Sequence, residues 1–288
     1  MKLLVIGLGH IGGSFAKTLK AVLPEVYVYG VDGNAAHGVA AKEAGWIDEV
    51  TTLEVGVPLA EVVVMAIPVD PLKQVLPMVL DLVGAEAMVF DAGSTKAAIC
   101  QAVAGHPNRA QFVAAHPIAG TENSGPAAAM DNLLQGKRMI LCETNHSADW
   151  AVDRMVAICE ALQMDVLYMT PEEHDEHLAY ISHLSHLTSF SLALSVLRAE
   201  KYEDKIFHFA GSGFASTARL GKSSPEMWSS IFLENKKPLL QVLDTYTEIL
   251  NHFREAIVQD DVEALHRYMS EANDIRRILE GKGNPPVE

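Results

Sequence analysis

Two groups of residues in this chain have types and spacing that could do chemistry. The first is Gly7-Leu8-Gly9-His10-Ile11-Gly12-Gly13-Ser14, entered from an apolar run, Lys2 to Ile6, and followed at once by a helix-forming stretch, Phe15 to Leu23. Between a strand and a helix this is the GxGxxG turn. Gly7 permits the tight bend, Gly9 lets backbone approach a pyrophosphate, and Gly12 lets the helix pack close to the strand. Leu8, His10 and Ile11 complete the binding turn, and the helix N-terminus supplies oriented N–H groups. Asp32 ends the next apolar run, 20 residues after Gly12, where a carboxylate accepts hydrogen bonds from adenosine ribose hydroxyls. That carboxylate would repel a 2′-phosphate, and no Arg follows to receive one, so NAD is expected over NADP. The second group centres on a histidine. The run Gln111 to Ala115 delivers His116-Pro117-Ile118-Ala119-Gly120-Thr121-Glu122-Asn123-Ser124-Gly125, and the run Ala87 to Asp91 delivers Ala92-Gly93-Ser94-Thr95-Lys96. An imidazole is neutral near pH 7 and can take the proton of an alcohol while hydride leaves the same carbon. Ser94 either caps a helix beginning at Thr95 or reaches a substrate hydroxyl.

These residues need a scaffold that gathers strand ends. Short apolar runs at Lys2 to Ile6, Val26 to Val31, Glu61 to Ile67, Ala87 to Asp91 and Gln111 to Ala115 alternate with helix-like stretches, as in βαβ units around a parallel sheet buried on both faces. Arg138 to Cys142 and Asp165 to Met169 add strands at the far edge. Loops at the carboxyl ends of such strands face the ligand crevice. Ile67 and Pro68 therefore either touch the cofactor or simply end a strand, and Asp70-Pro71 reads as an N-cap with proline at the first helical position. From Pro171 to about Gly281 apolar residues recur at helical spacing, as in Leu239, Leu240, Leu243, Tyr246, Thr247 and Leu250, and strand signals stop. The expected fold is an α/β Rossmann-type dinucleotide-binding domain, 1–169, followed by an all-α C-terminal domain, 170–288. The tail from Gly281 through Pro286 has no periodicity and should fray.

Composition narrows the function classes. The 288 residues suit two domains, and 49 % hydrophobic content suffices for a core in each. No apolar run approaches the roughly 18 residues of a membrane span, and glycine-rich sequence begins too early for a signal peptide, so a cytoplasmic protein is expected. A net charge of −15, with no stretch of Lys and Arg longer than a pair, argues against nucleic acid. A small anionic substrate remains compatible if a few cations are focused in one cleft. Cys100, Cys142 and Cys159 show no CxxC spacing and read as small buried hydrophobes.

Four segments together resemble the prephenate dehydrogenase family: His116 to Gly125, Gly93-Ser94-Thr95-Lys96, Ser182-His183-Leu184-Ser185-His186, and Arg219-Leu220-Gly221-Lys222 with Trp228. The resemblance extends from Gly7 to about Asn251, and HPIAGTENSG is its most specific part. It implies NAD-dependent oxidative decarboxylation of prephenate, a dianion, within tyrosine biosynthesis. It also implies roles: His116 polarises or deprotonates the ring hydroxyl, Ser94 orients both, and His186 and Arg219 lie in the substrate pocket, Arg219 pairing with a carboxylate. Thr121, Glu122, Ser182 and His183 line or gate that pocket. The chain departs from the family where many members carry Asp, at Ser216, and where many carry Pro, at Ser185.

Other readings compete. His183 and His186, with His174 and His177, could suggest a metal. However, no further ligand falls at a recognisable spacing and hydride transfer needs no Lewis acid, so no metal is expected. His174-Asp175-Glu176-His177 reads as a solvated helical turn, and Trp228 as packing rather than ligand contact. The late apolar helices exceed what one domain needs to bury, which implies a homodimer through the helical domain, as in the resembled family. Rival activities are arogenate dehydrogenase, a β-hydroxyacid dehydrogenase, which would use a lysine of the second domain, and a non-catalytic NAD-sensing regulator.

Overall fold

The computed structural model describes residues 1–201 and 205–281; beyond Gly281 the expected frayed tail lies outside them. Along the chain run β1 (Lys2–Ile6), α1 (His10–Val22), β2 (Tyr27–Val31), α2 (Ala35–Glu43), β3 (Glu49–Val50), α3 (Leu53–Leu59), β4 (Val62–Met65), α4 (Val69–Leu82), β5 (Met88–Asp91) and α5 (Ala97–Val103). There follow β6 (Phe112–Ile118), β7 (Arg138–Cys142), α6 (Asp149–Ala161), β8 (Asp165–Met169), α7 (Pro171–Leu178), α8 (Leu184–Glu200), α9 (Ser212–Ala218), α10 (Pro225–Glu234), α11 (Lys236–Val258), α12 (Val262–Ala272) and α13 (Ile275–Leu279). Every described element after β8 is helical, including one turn of π-helix, Ala179–His183, that joins α7 to α8.

The strands form one sheet in the order β3-β2-β1-β4-β5-β6-β7-β8, parallel except where β6 meets β7. Alternation along each strand explains why both faces are covered. Leu3 and Val5 of β1, with Val62 and Val64 of β4, enter a core closed by Phe15 and Leu19 of α1 and Met155 and Ile158 of α6. Leu4 and Ile6, with Val63 and Met65, enter the opposite core against Leu72, Leu76 and Val79 of α4 and Ile99 of α5. The chain reverses direction of travel across the sheet between β1 and β4, and the ends of β1, β2, β4, β5 and β6 gather around that point.

The seven expected strands are present, and several boundaries move for identifiable reasons. Helix α1 starts at His10, not Phe15, because Gly12 and Gly13 adopt helical backbone inside the glycine turn. Strand β6 continues past Ala115 to Ile118 because β7 pairs antiparallel with it, placing His116 opposite Ile140. Helix α4 begins at Val69, so Asp70 lies in its first turn rather than at its cap. Strand β3 has only two residues and gives no periodic signal. Cys100, Cys142 and Cys159 are buried free thiols, and burial pushes Cys100 above the reach of ordinary pH and the other two up to about 12. The chain forms two compact units, Met1–Leu239 and a second from Leu240 onward. None of the described helices is long and apolar enough to cross a membrane.

Candidate active site

The glycine turn is built as a cradle. Gly7 has φ +96°, and a Cβ there would sit 2.4 Å from the carbonyl oxygen of Ala66, at the end of β4. A Cβ on Gly12 would lie 2.0 Å from the Gly7 carbonyl oxygen, so α1 approaches β1 only because that atom is missing. Gly9 differs: a Cβ there meets nothing within 4 Å, which leaves open space beside a helix start that no side chain caps. That is room for a phosphate against unclaimed N–H groups. Asp32 is held beside it, one carboxylate oxygen accepting from the Leu8 N–H at 2.7 Å and the other from the Asn34 N–H at 2.8 Å. His37, unremarked in the sequence, stands 3.1 Å from the same carboxylate. The residues present therefore fit a dinucleotide.

Four further cofactor candidates surround this turn. The His10 ring is buried and its Nδ1–H donates to the Asn123 carbonyl at 3.1 Å, so any part His10 has in the cofactor turn falls to its backbone at the start of α1. That contact fastens the glycine turn to the loop after β6. Ile67 and Pro68 follow β4 beside Gly7, Ile67 half-buried and Pro68 exposed, while Ile11 is half-buried on the first turn of α1.

The histidine group is assembled by β5, β6 and α7. His116, half-buried, directs Nδ1 at His174 Nε2, 2.8 Å away, and His174 directs Nδ1 at Asp175 Oδ1, also 2.8 Å. The expected solvated turn is thus wrong for half its members. His174 is 0 % exposed and Asp175 5 %, because α7 is amphipathic: Pro171, His174, Asp175 and Leu178 form its buried stripe at i, i+3, i+4 and i+7. Glu172, Glu173, Glu176 and His177 take the solvent side. That stripe is visible in the sequence behind the capping box of Thr170 and Glu173, and it is the signal by which both residues could have been found.

Asp175 also accepts the backbone N–H of Lys96 at 2.7 Å and of Ala97 at 3.0 Å. The start of α5 is therefore capped from another helix, and Ser94 makes no side-chain cap. Beneath it lies a buried ion pair that sequence reasoning missed. Lys96 Nζ meets Asp91, both wholly buried, and donates to the Ala115 carbonyl at 2.9 Å, tying β5 to β6 just before His116. Burial first, then the charges of His174, Lys96 and His183, hold the His116 imidazole well below its usual pKa. The site keeps it neutral at neutral pH.

The substrate candidates divide. His186 lies flat on Trp228, ring centroids 3.4 Å apart, with its Nδ1–H donating to the Ser182 carbonyl at 3.0 Å. Arg219, largely exposed, pairs through Nη1 with Glu122 Oε2 at 2.5 Å. Thr121 accepts the Asn123 N–H at 3.2 Å within the same loop. His183 is not on the pocket surface: it is 0 % exposed, its Nδ1 takes a hydrogen bond from Asn235 Nδ2 at 2.9 Å, and the Ser94 backbone lies against it. Asn235, unremarked in the sequence, gives its second N–H to the Asp175 carbonyl at 2.7 Å. Trp228 is buried, as packing predicts, and also forms the floor under His186. Among the described residues no group of His, Cys, Asp and Glu is placed to hold a metal.

Comparison with known proteins accords with this arrangement. A family model described as prephenate dehydrogenase, nucleotide-binding domain, matches residues 15–168, and one described as prephenate dehydrogenase, dimerization domain, matches 170–271. Prephenate dehydrogenase of Bacillus subtilis is 34 % identical over 280 residues, spanning 95 % of this chain and 75 % of that protein. The structure of prephenate dehydrogenase from Aquifex aeolicus in complex with hydroxyphenyl propionate and NAD+ superposes with a TM-score of 0.88 at 32 % identity, covering 97 % of this chain and 98 % of that one. Synechocystis arogenate dehydrogenase gives 0.74 at 26 % identity, covering 97 % and 100 %. With both family models matched in series over most of its length, the chain belongs to the prephenate dehydrogenase family of oxidoreductases.

Proposed function

We propose that the protein catalyses the NAD-dependent oxidative decarboxylation of prephenate to 4-hydroxyphenylpyruvate, with His116 as the base. The observation that carries this reading is the His116 imidazole at the end of β6, backed by a second histidine and a carboxylate, on the sheet edge that carries the open glycine cradle. NAD, when bound, supplies the acceptor for the hydrogen and electron pair that leave the hydroxyl-bearing ring carbon.

The chain's own residues do the rest. Gly7, Gly9, His10, Ile11 and Gly12 form the turn that presents backbone to the pyrophosphate, the Leu8 N–H steadies Asp32 for the adenosine ribose, and Ile67 and Pro68 flank the turn. His116 Nε2 takes the proton of the ring hydroxyl while Ser94 orients the hydroxyl and the imidazole. As the ring carbon becomes a carbonyl carbon, the bond to the ring carboxylate breaks, its electron pair enters the ring, carbon dioxide departs, and the resulting phenolate takes back the proton held by His116. Arg219 exchanges Glu122 for a substrate carboxylate, a like-for-like swap of charge-assisted partners. His186, backed by Trp228, forms the adjoining wall with Ser182, and Thr121 and Glu122 lie at the mouth.

Two organisational readings accompany this one. The working division is 1–169 for cofactor and 170–288 for substrate and dimerisation, supported by the ranges of the two family models. The protein is a homodimer through the helical part, supported by the second model's description and by exposed apolar side chains: Leu194 and Leu197 on α8 and, in the second unit, Ile257, Val258 and Val262. Light scattering should return twice the 31.2 kDa chain mass; the monomer mass would count against the dimer.

The test of function is absorbance of reduced nicotinamide with purified protein, NAD and prephenate, run beside arogenate and beside NADP. Rapid NADH formation with prephenate is the expected result. Turnover with arogenate alone would transfer the assignment to the activity named for the Synechocystis structure.

A further inference from the structure

The proposed base is one member of a longer chain of hydrogen bonds whose direction the chemistry of its far end determines. Asp175 is an ionised carboxylate: burial works against the charge, but His174 and the N–H groups of Ala97 and Lys96 outweigh it and hold its pKa below the usual range. An ionised carboxylate only accepts, so the proton on the 2.8 Å contact between Asp175 Oδ1 and His174 Nδ1 belongs to the histidine. A neutral His174 then carries no proton on Nε2. The 2.8 Å contact between that atom and His116 Nδ1 must be donated by His116. Its own Nε2 is left bare.

We propose that His174 and Asp175 are positioning residues for this reaction, which fix the proton of His116 on Nδ1 and so keep its Nε2 lone pair turned to the substrate. The inference rests on His116 being the base, and it explains why two ionisable side chains are buried behind it. A lone histidine distributes its proton between both ring nitrogens, and a molecule with hydrogen on Nε2 is no base at that atom. The arrangement follows the logic of an orienting carboxylate behind a catalytic imidazole, lengthened by one histidine. When His116 takes the substrate proton on Nε2 it becomes a cation, its Nδ1–H stays in place, and the Asp175 charge stabilises it through His174. No second proton needs to move.

Asp175 has a further duty that a simple relay would not require. Its two oxygens also receive the backbone N–H groups of Lys96 and Ala97, which immediately follow the Ser94 turn. Asn235 holds the Asp175 carbonyl from α10's end and, with its other hydrogen, the buried His183. One carboxylate thus sets the imidazole and the serine turn in register.

The test begins with the wild-type protein and no substrate. Imidazole 15N–1H spectra, with the His116 signal assigned by its loss in His116→Asn, should show His116 protonated on Nδ1. In His174→Leu the signal should shift toward the Nε2-protonated form, and kcat should fall about 10- to 100-fold, with KM and NAD affinity within about twofold of wild type. His174→Gln, whose side-chain oxygen can accept from His116 Nδ1, should recover most of the lost kcat. A wild-type His116 protonated on Nε2 would overturn the proposal, as would equal kcat in the Leu and Gln variants. The spectral result needs no turnover, so an enzyme that proved to act on arogenate would leave it standing.

Discussion

Lowering the pH from about 7 to 5 should weaken the fold by an amount traceable to His183. Burial, set against partial compensation from Asp175, pushes its pKa from 6.5 down to about 4. The sign follows from linkage. Above 6.5 the residue is neutral in both folded and unfolded chains and contributes no slope. As pH falls below 6.5 the unfolded chain takes up a proton that the folded one refuses, so stability is lost, and the loss ends near pH 4 where the folded protein also protonates. A shift of this size corresponds in full to roughly 3 kcal/mol, of which about 2 kcal/mol falls between pH 7 and 5. Urea unfolding at fixed protein concentration reads it directly. With an m-value of about 3 kcal/mol/M, the midpoint should drop by about 0.6 M from this residue alone. His116, His174 and His186 are depressed in the same direction and add to the wild-type loss. The decisive quantity is therefore a difference: in His183→Gln, whose amide can still accept from Asn235, the pH-induced drop should be smaller than in wild type by that amount. Equal drops in the two proteins would refute the reasoning.

The remaining predictions concern the cradle, the pocket and the buried pair. Gly9→Ala should leave thermal stability nearly unchanged, since its Cβ meets nothing, yet weaken NAD binding at least about tenfold by filling pyrophosphate space, whereas Gly12→Ala should destabilise the fold itself; similar Tm losses in both would contradict this. Arg219→Ala should raise KM for the substrate about 10- to 100-fold, the worth of a hydrogen bond to a charged group, and an unaltered KM would remove it from the pocket. Lys96→Met strands the wholly buried Asp91 charge and should cost about 3–5 kcal/mol by chemical denaturation. A loss below about 1 kcal/mol would show that Asp91 is served by the Gly93 and Ala115 N–H groups alone.

Much of the fold was legible because its strands are short apolar runs with hard stops, and because Gly7, Gly9, Gly12 and Asp32 each stand where a dinucleotide turn needs them. The π-turn at Ala179–His183 was not legible, since nothing in a hydrophobic pattern distinguishes a single turn of i→i+5 hydrogen bonds from the i→i+4 turns on either side. At the site, the chain order of Ser94, His116, His186 and Arg219 was readable, but the partners they take, His174 for His116, Trp228 for His186 and Glu122 for Arg219, were not. His183, expected to line or gate the pocket, ends the π-turn wholly buried and takes a hydrogen bond from Asn235. The acidic neighbours Glu172, Glu173 and Glu176 make His174 and Asp175 look solvent-facing in the sequence. The helical stripe from Pro171 to Leu178 carried the correct reading, and local composition masked it. The Lys96–Asp91 pair was hidden for a different reason: a buried ion pair between a strand end and the loop after it looks, in sequence, like two ordinary surface charges.

The central claim is that His116 is the base at the cofactor crevice, and replacement of that one side chain tests it most directly. Turnover of prephenate by His116→Asn, measured beside NAD affinity, should fall by about two to four orders of magnitude while NAD binds nearly as before. Wild-type turnover in that variant would contradict the account.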